Sequence, residues 1–262
     1  MLFFRLSLSD LLERRFKMRM QFCSDLHLNS HPFSKKDEYE EFETILEPVA
    51  KALVLCGDIG TVNSPIVNSF FRWSHDKWDT IFWIPGFHEC MNCLHDIDVF
   101  KKRIQLMRDS VSEFPNIHVM YRDRFFTDDG FLFLACSFWT RIVDPIVDSQ
   151  MPILQSEHEK DVAWIKEQIQ ITSRPTLIAT YMAATYQLLD DGWKKPAEEV
   201  FYAADTEILI KPPVVAWISG HIHKALQLKK EWFGSNILLV TNARGYPGEE
   251  TGYRKDAVLR IG

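Results

Sequence analysis

Residues 18–27, MRMQFCSDLH, carry a mostly apolar run of strand length straight into a serine, an aspartate and a histidine. The same design returns in ALVLCGD (52–58), TIFWIPGFHE (80–89) and VVAWISGHIH (214–223). A short apolar run bounded by turn-forming residues reads as a buried strand. Further runs of that kind lie at 117–121, 131–137, 176–180 and 237–241. Between them fall amphipathic segments of helix length: 37–47, with Tyr39, Phe42, Ile45 and Leu46 on one face, then 65–78, 97–113, and 157–171 with Val162, Trp164, Ile165 and Ile169. Strands alternating with helices predict a layered α/β domain, in which ligands gather where loops leave the carboxyl ends of strands.

The rest of the composition narrows the classes. A chain of 262 residues that is 46% hydrophobic can bury a sizeable core. A formal charge of −6 leaves no basic footprint of the kind that drives non-specific binding to nucleic acid or to anionic membrane. No apolar run reaches the length of a membrane span. Five cysteines, with Cys23, Cys56 and Cys136 inside apolar runs, read as buried free thiols and place the protein in a reducing compartment, the cytoplasm. Residues 1–17 form an N-terminal extension of undetermined role, and 18–262 a single domain. The segment 190–211 reads as a long surface connection.

Each apolar run of the opening set ends in hard or borderline metal ligands: Asp25 and His27, Asp58, His88 and Glu89, His221 and His223. Carboxylates and imidazoles two residues apart on a turning loop can converge on one centre. Any one of these short motifs alone has an ordinary turn explanation, but four in order at strand ends point to a metal site.

Ser24-Asp25-Leu26-His27, Gly57-Asp58-Ile59-Gly60, Pro85-Gly86-Phe87-His88-Glu89 and Gly220-His221-Ile222-His223 together resemble, in order and spacing, the motifs of the calcineurin-like metallophosphoesterases. Ser137-Phe138-Trp139-Thr140, the helix with Glu157-His158 and Val162-Ala163-Trp164, and the run TNARGYPGE (241–249) are similar to a small-phosphoesterase branch, so the likeness spans about residues 18–250. The resemblance implies a two-sheet β-sandwich flanked by helices, with metals at one edge. It implies a first divalent ion (Mn, Fe or Zn) held by Asp25, His27, Asp58 and His223, with His88 as the acid or phosphate-contacting group, oriented by Asp25 or Glu89. The second ion of the family would take Asp58, His221 and two further ligands. At those two positions this chain carries Phe87, where the motif has asparagine, and Tyr181 in Thr180-Tyr181-Met182, where it has histidine.

The expectation is therefore one complete metal site and half of another. The function implied is metal-dependent hydrolysis of a phosphoric mono- or diester, on a phosphorylated small molecule or other phosphoester, at reduced activity. The alternative is a catalytically inactive relative that keeps the fold as a binding or scaffolding module. Outside the motifs, His31 and His95 lie close along the chain. Cys90 and Cys93, at Cys-x-x-Cys spacing between His88 and His95, are zinc-type ligands too crowded to wrap an ion, so a plain loop is preferred. Trp193 and Tyr202, in the long connection, are candidates for covering a substrate, and the other tryptophans for core packing.

Overall fold

The computed structural model describes residues 18–33, 38–140, 151–189, 203–232 and 235–262. Its strands are β1 (Met18–Cys23), β2 (Ala52–Cys56), β3 (Thr80–Ile84), β4 (Ile117–Val119), β5 (Asp123–Phe126), β6 (Leu132–Cys136), β7 (Thr176–Thr180), β8 (Val214–Ser219), β9 (Ala225–Trp232), β10 (Ser235–Asn242) and β11 (Val258–Ile261). The helices are α1 (Glu38–Ile45), α2 (Pro65–Ser74), α3 (Phe87–Cys90), α4 (Ile97–Ser110) and α5 (Ile153–Gln170). One sheet runs β11-β1-β2-β3-β4 and the other β5-β6-β7-β8-β10-β9. Both are parallel inside and antiparallel at β11, β5 and β9. The two-sheet α/β sandwich expected from the sequence is what forms.

The parallel strands are covered on both faces, which is why they read as continuous apolar runs rather than alternating ones. Leu53, Val54 and Leu55 of β2 and Leu177, Ile178 and Ala179 of β7 are fully buried. Aromatic rings join the layers: Phe82 of β3 meets Phe133 of β6 at 4.5 Å and Phe125 of β5 at 5.1 Å. On the outer faces, Phe42 of α1 packs on Phe70 of α2, and Ile165 and Ile169 of α5 pack among Leu134 and Ile178. Trp73, Trp78, Trp83, Trp139 and Trp217 are core residues, as expected.

Three strands escaped the sequence reading. β5 is only four residues with an alternating half-exposed pattern, β9 is an edge strand rich in polar residues, and β11 is a short edge partner of β1. Short α3, carrying Phe87 and His88, was also unforeseen. Most of the segment 190–211 lies outside the described residues, among them Trp193 and Tyr202, as do residues 1–17. Among the described residues no helix is long and apolar enough to cross a membrane. Free cysteines Cys23, Cys56, Cys90, Cys93 and Cys136 are all buried.

Two devices fix the edge where the carboxyl ends of the strands meet. The sheets are bridged there, with the Ser24 N–H donating to the Asn242 carbonyl (3.1 Å) and the Arg244 N–H to that of Ser24 (3.1 Å). The loop after β6 is tied down by Arg122, which pairs with Glu157 and Asp161 of α5 (2.7 Å each), while Asp161 accepts the Phe138 N–H and Ser137 donates to the Pro85 carbonyl (2.8 Å each).

At the opposite end, the buried Gln21 side chain on β1 donates to the Glu47 and Lys255 carbonyls (2.7 and 3.0 Å). It accepts from the Val49 N–H and the Trp78 indole (3.1 and 3.0 Å). Gln21→Leu leaves the buried Trp78 indole N–H without its acceptor, at about 1–3 kcal/mol, and removes the bonds to Glu47, Val49 and Lys255 as well. Urea unfolding should show a loss of roughly 2–4 kcal/mol; a loss below about 0.5 kcal/mol, the level of an ordinary surface substitution, would contradict this role.

Candidate metal centre

Six loops converge on one point. Asp25 and His27 leave β1, Asp58 leaves β2, His88 and Glu89 lie on α3 beyond β3, Tyr181 follows β7, His221 and His223 follow β8, and Tyr246 and Glu249 follow β10. Asp25, His27, Asp58, His221 and His223 all adopt left-handed backbone, with φ of 51°, 43°, 54°, 65° and 47°. Each such non-glycine residue costs on the order of 1–3 kcal/mol and persists only where its surroundings over-determine it. Five around one point mark a built site. Asp25, His27 and His223 bring ligand atoms within 4.8 Å of one another, and so do His27, Asp58 and His88, and Asp25, Asp58 and His221.

Asp25, His27 and His223 fit one divalent ion. The Nε2 atoms of the two histidines face each other at 3.1 Å, and Asp25 Oδ1, 3.5 Å from His223 Nε2, is buried without a hydrogen bond. An orphaned buried carboxylate oxygen is costly unless a cation meets it. Burial pushes the His27 pKa down to about 3, so its imidazole is neutral and keeps a lone pair for a metal. Burial also opposes ionisation of Asp25, but the adjoining His223, with a smaller part from His221, outweighs it and carries its pKa down. His223 is driven the other way: desolvation is overcome by Asp25 and Glu249, and its pKa rises.

The second ion does not fit in the same way. Phe87 is half-buried against the core and offers no ligand atom. Tyr181 is fully buried, and its hydroxyl donates to Asp58 Oδ2 (2.8 Å) and lies 2.6 Å from His221 Nδ1. With its one proton given to Asp58, the phenol oxygen accepts from His221 Nδ1–H. The Tyr181 side chain thus stands between Asp58 and His221. Desolvation, then the charges of Asp58 and Asp25, hold its pKa well above the ordinary tyrosine value, so it is a neutral phenol and not a tyrosinate ligand. Asp58 itself is raised by burial and by the charges of Glu89 and Asp25.

Glu89 does not orient His88. Its buried carboxylate instead accepts the backbone N–H groups of Asp58 (2.9 Å), Ile59 (2.7 Å), Gly60 (3.3 Å) and Gly86 (2.9 Å), locking the β2 and β3 exit loops together. Gly86 is required by that approach, since a Cβ there would lie 2.5 Å from Asp58 N. Asp25 reaches His88 only through its charge. The hydrogen-bond partner of His88 Nε2 is the Tyr246 hydroxyl, at 2.8 Å. Glu249 Oε2 meets His223 Nδ1 at 2.6 Å, orienting that ring as outer carboxylates orient metal-binding histidines. Sequence reasoning gave Tyr246 and Glu249 no role; the only signal was the run TNARGYPGE (241–249) that contains them.

The lesser candidates lie elsewhere. His31 Nε2 bonds the Gly245 carbonyl (3.1 Å) and His95 is exposed. Cys90 and Cys93 face the core, Cys93 Sγ donating to the Cys90 carbonyl, and among the described residues the metal-type groupings include no cysteine.

Comparison with known proteins agrees with this geometry. Residues 18–225 match the model of the calcineurin-like phosphoesterase family. An uncharacterised protein, L509, of Acanthamoeba polyphaga mimivirus is 24% identical over 242 residues, covering 80% of this chain and 83% of the relative. Among solved structures, the phosphopantetheinyl hydrolase of Mycobacterium tuberculosis superposes with a TM-score of 0.61 at 15% identity, covering 87% of this chain and 89% of the other. A dimetal phosphatase from Danio rerio superposes with a TM-score of 0.55 at 11% identity, covering 93% and 98%. At such identities the structures speak for the fold alone. The family match takes in the loops that bring Asp25, His27, Asp58, His88, Tyr181, His221 and His223 together, and this chain belongs to the calcineurin-like phosphoesterase family.

Proposed function

We propose that this protein hydrolyses phosphoric mono- or diesters with one divalent ion, Mn, Fe or Zn, held by Asp25, His27, Asp58 and His223. The observation that carries the reading is the pairing of an orphaned Asp25 Oδ1 at the histidine pair with a phenol at the second position. When bound, a divalent ion polarises a phosphoryl oxygen and makes water a stronger nucleophile near neutral pH.

The side chains supply the remainder. His88, half-buried on α3, can hold a phosphoryl oxygen or protonate the leaving oxygen; its backbone N–H donates to Asp58 Oδ1 (2.7 Å) and fixes its place beside that carboxylate. The Asp25 Oδ2 atom accepts the His221 N–H (2.9 Å), holding the β8 loop so that His223 faces His27. The Tyr181 hydroxyl holds Asp58 and His221 in the orientation that a second cation would otherwise impose. It brings no positive charge, so stabilisation of the developing charge is weaker than in a two-metal site and turnover is slow.

The second reading, a binding module without turnover, is favoured by the same two residues, Phe87 and Tyr181. Hydrolysis of generic nitrophenyl mono- and diesters with added Mn separates the two. The enzyme reading expects metal-dependent turnover that falls by more than about 100-fold in Asp25→Asn and Asp58→Asn; unchanged activity in either variant would sink it. A silent wild type alongside an active Phe87→Asn/Tyr181→His double variant would establish the binding module.

Glu249 gives a test of the first site that needs no turnover. Glu249→Gln keeps the shape but removes the charge beside His223 Nδ1, and Mn affinity measured by calorimetry should fall about 10- to 100-fold. An unchanged affinity would contradict the role of Glu249 in supporting His223 as a ligand.

A further inference from the structure

The floor of the centre is closed: Asp25, His27, Asp58, Glu89 and Tyr181 are each at most 2% exposed. Among the described residues its rim includes the part-exposed His88, His221 and His223 and the exposed Tyr246. Two rim groups have defined inner partners, His221 Nδ1 with Tyr181 and His223 Nδ1 with Glu249. Tyr246 lies across the mouth. Its ring stacks on His27 at 4.0 Å with planes 15° apart, stands 5.3 Å from the His223 ring, and is 38% exposed.

An exposed aromatic on a mobile loop would mean little, but this loop is clamped. The Gly245 N–H donates to the Asp25 carbonyl (3.0 Å), the Arg244 N–H to that of Ser24 (3.1 Å), and the Tyr246 N–H to Glu249 Oε2 (2.9 Å). Gly245 has φ of 78°, and a Cβ there would fall 2.3 Å from the same Glu249 oxygen. The carboxylate that orients His223 therefore also sets Tyr246, so ring and centre are built as one piece.

We propose that Tyr246 is a substrate-binding residue of this centre, its hydroxyl acting with His88 to hold a phosphoryl oxygen of the ester. The inference rests on the metal reading above, because the phosphoryl group is placed against Tyr246 by the ion at Asp25, His27 and His223. A phenol both donates and accepts, so the Tyr246 hydroxyl can turn its proton to the anionic oxygen while its lone pairs accept from His88 Nε2–H. His88 then acts through Tyr246, its Nε2–H leaving the phenol proton free for the phosphoryl oxygen, so that the pair forms a clip at the solvent-facing rim. Such a clip suits the compact charged phosphoryl group and leaves the alcohol portion of the ester facing the open rim.

The probe is inorganic phosphate, titrated by calorimetry into the Mn-loaded full chain, with Mn affinity measured separately. A hydrogen bond to an ionised acceptor is worth about tenfold or more in affinity. Tyr246→Phe, which keeps the stacking on His27, should weaken phosphate binding at least about tenfold with Mn affinity within about twofold of wild type. Tyr246→Leu should lose phosphate binding to the same extent or further. Phosphate affinity unchanged in Tyr246→Phe, with Mn still bound, overturns the role of Tyr246 and leaves the metal reading standing. Absence of Mn binding in the wild type overturns both; Mn binding without saturable phosphate binding overturns the role of Tyr246 alone.

Discussion

Three carboxylates, those of Asp25, Asp58 and Glu89, are buried together at the carboxyl edge of the two sheets, and the surrounding structure is arranged to bear that charge. Buried carboxylates hold their charge only where donors or cations meet it. Each is met differently. Glu89 takes four backbone N–H groups from two loops and becomes a structural clamp. Asp58 takes the Tyr181 hydroxyl and the His88 N–H, one on each oxygen. Asp25 takes the His221 N–H on one oxygen and leaves the other bare beside two imidazoles. That inequality divides the site into three parts: a framework, a part filled by protein, and a part that asks for an ion.

The same constraint explains the backbone. Ligand residues on loops from separate strands can face one point only if the loops turn sharply, and left-handed φ at five non-glycine residues supplies those turns. The strain is held by the Glu89 clamp on one side and by the Ser24–Asn242 and Arg244–Ser24 bonds on the other. Tyr181 keeps this framework intact, because its phenol can donate to Asp58 and accept from His221 at once. Hydrogen bonds thus substitute for coordination as a scaffold, but a neutral phenol cannot substitute for a cation in stabilising charge on a phosphoryl group.

Much of this was legible in the chain. Parallel strands buried on both faces announce themselves as apolar runs, so β1, β2, β3, β7 and β8 and the motifs at their ends could be read directly. Edge strands could not: β9 and β11 pair on one side only and tolerate polar residues, which erases the pattern. The resemblance offers Asp25 or Glu89 to orient His88, and the chain alone does not show that the Glu89 side chain points back to the β2 loop. Tyr246 and Glu249 were invisible as site residues because their relation to His88, His27 and His223 exists only after β10 has paired with β8 and its exit loop has closed over that of β1.

The central claim, one ion with a phenol in the second position, is tested most directly by anomalous diffraction from crystals of the Mn-loaded protein. The account predicts a single strong peak among Asp25 Oδ1, Asp58 and the Nε2 atoms of His27 and His223, with the Tyr181 hydroxyl still bonded to Asp58 and His221. A second peak of comparable height between Asp58 and His221, with the Tyr181 ring displaced, would contradict it.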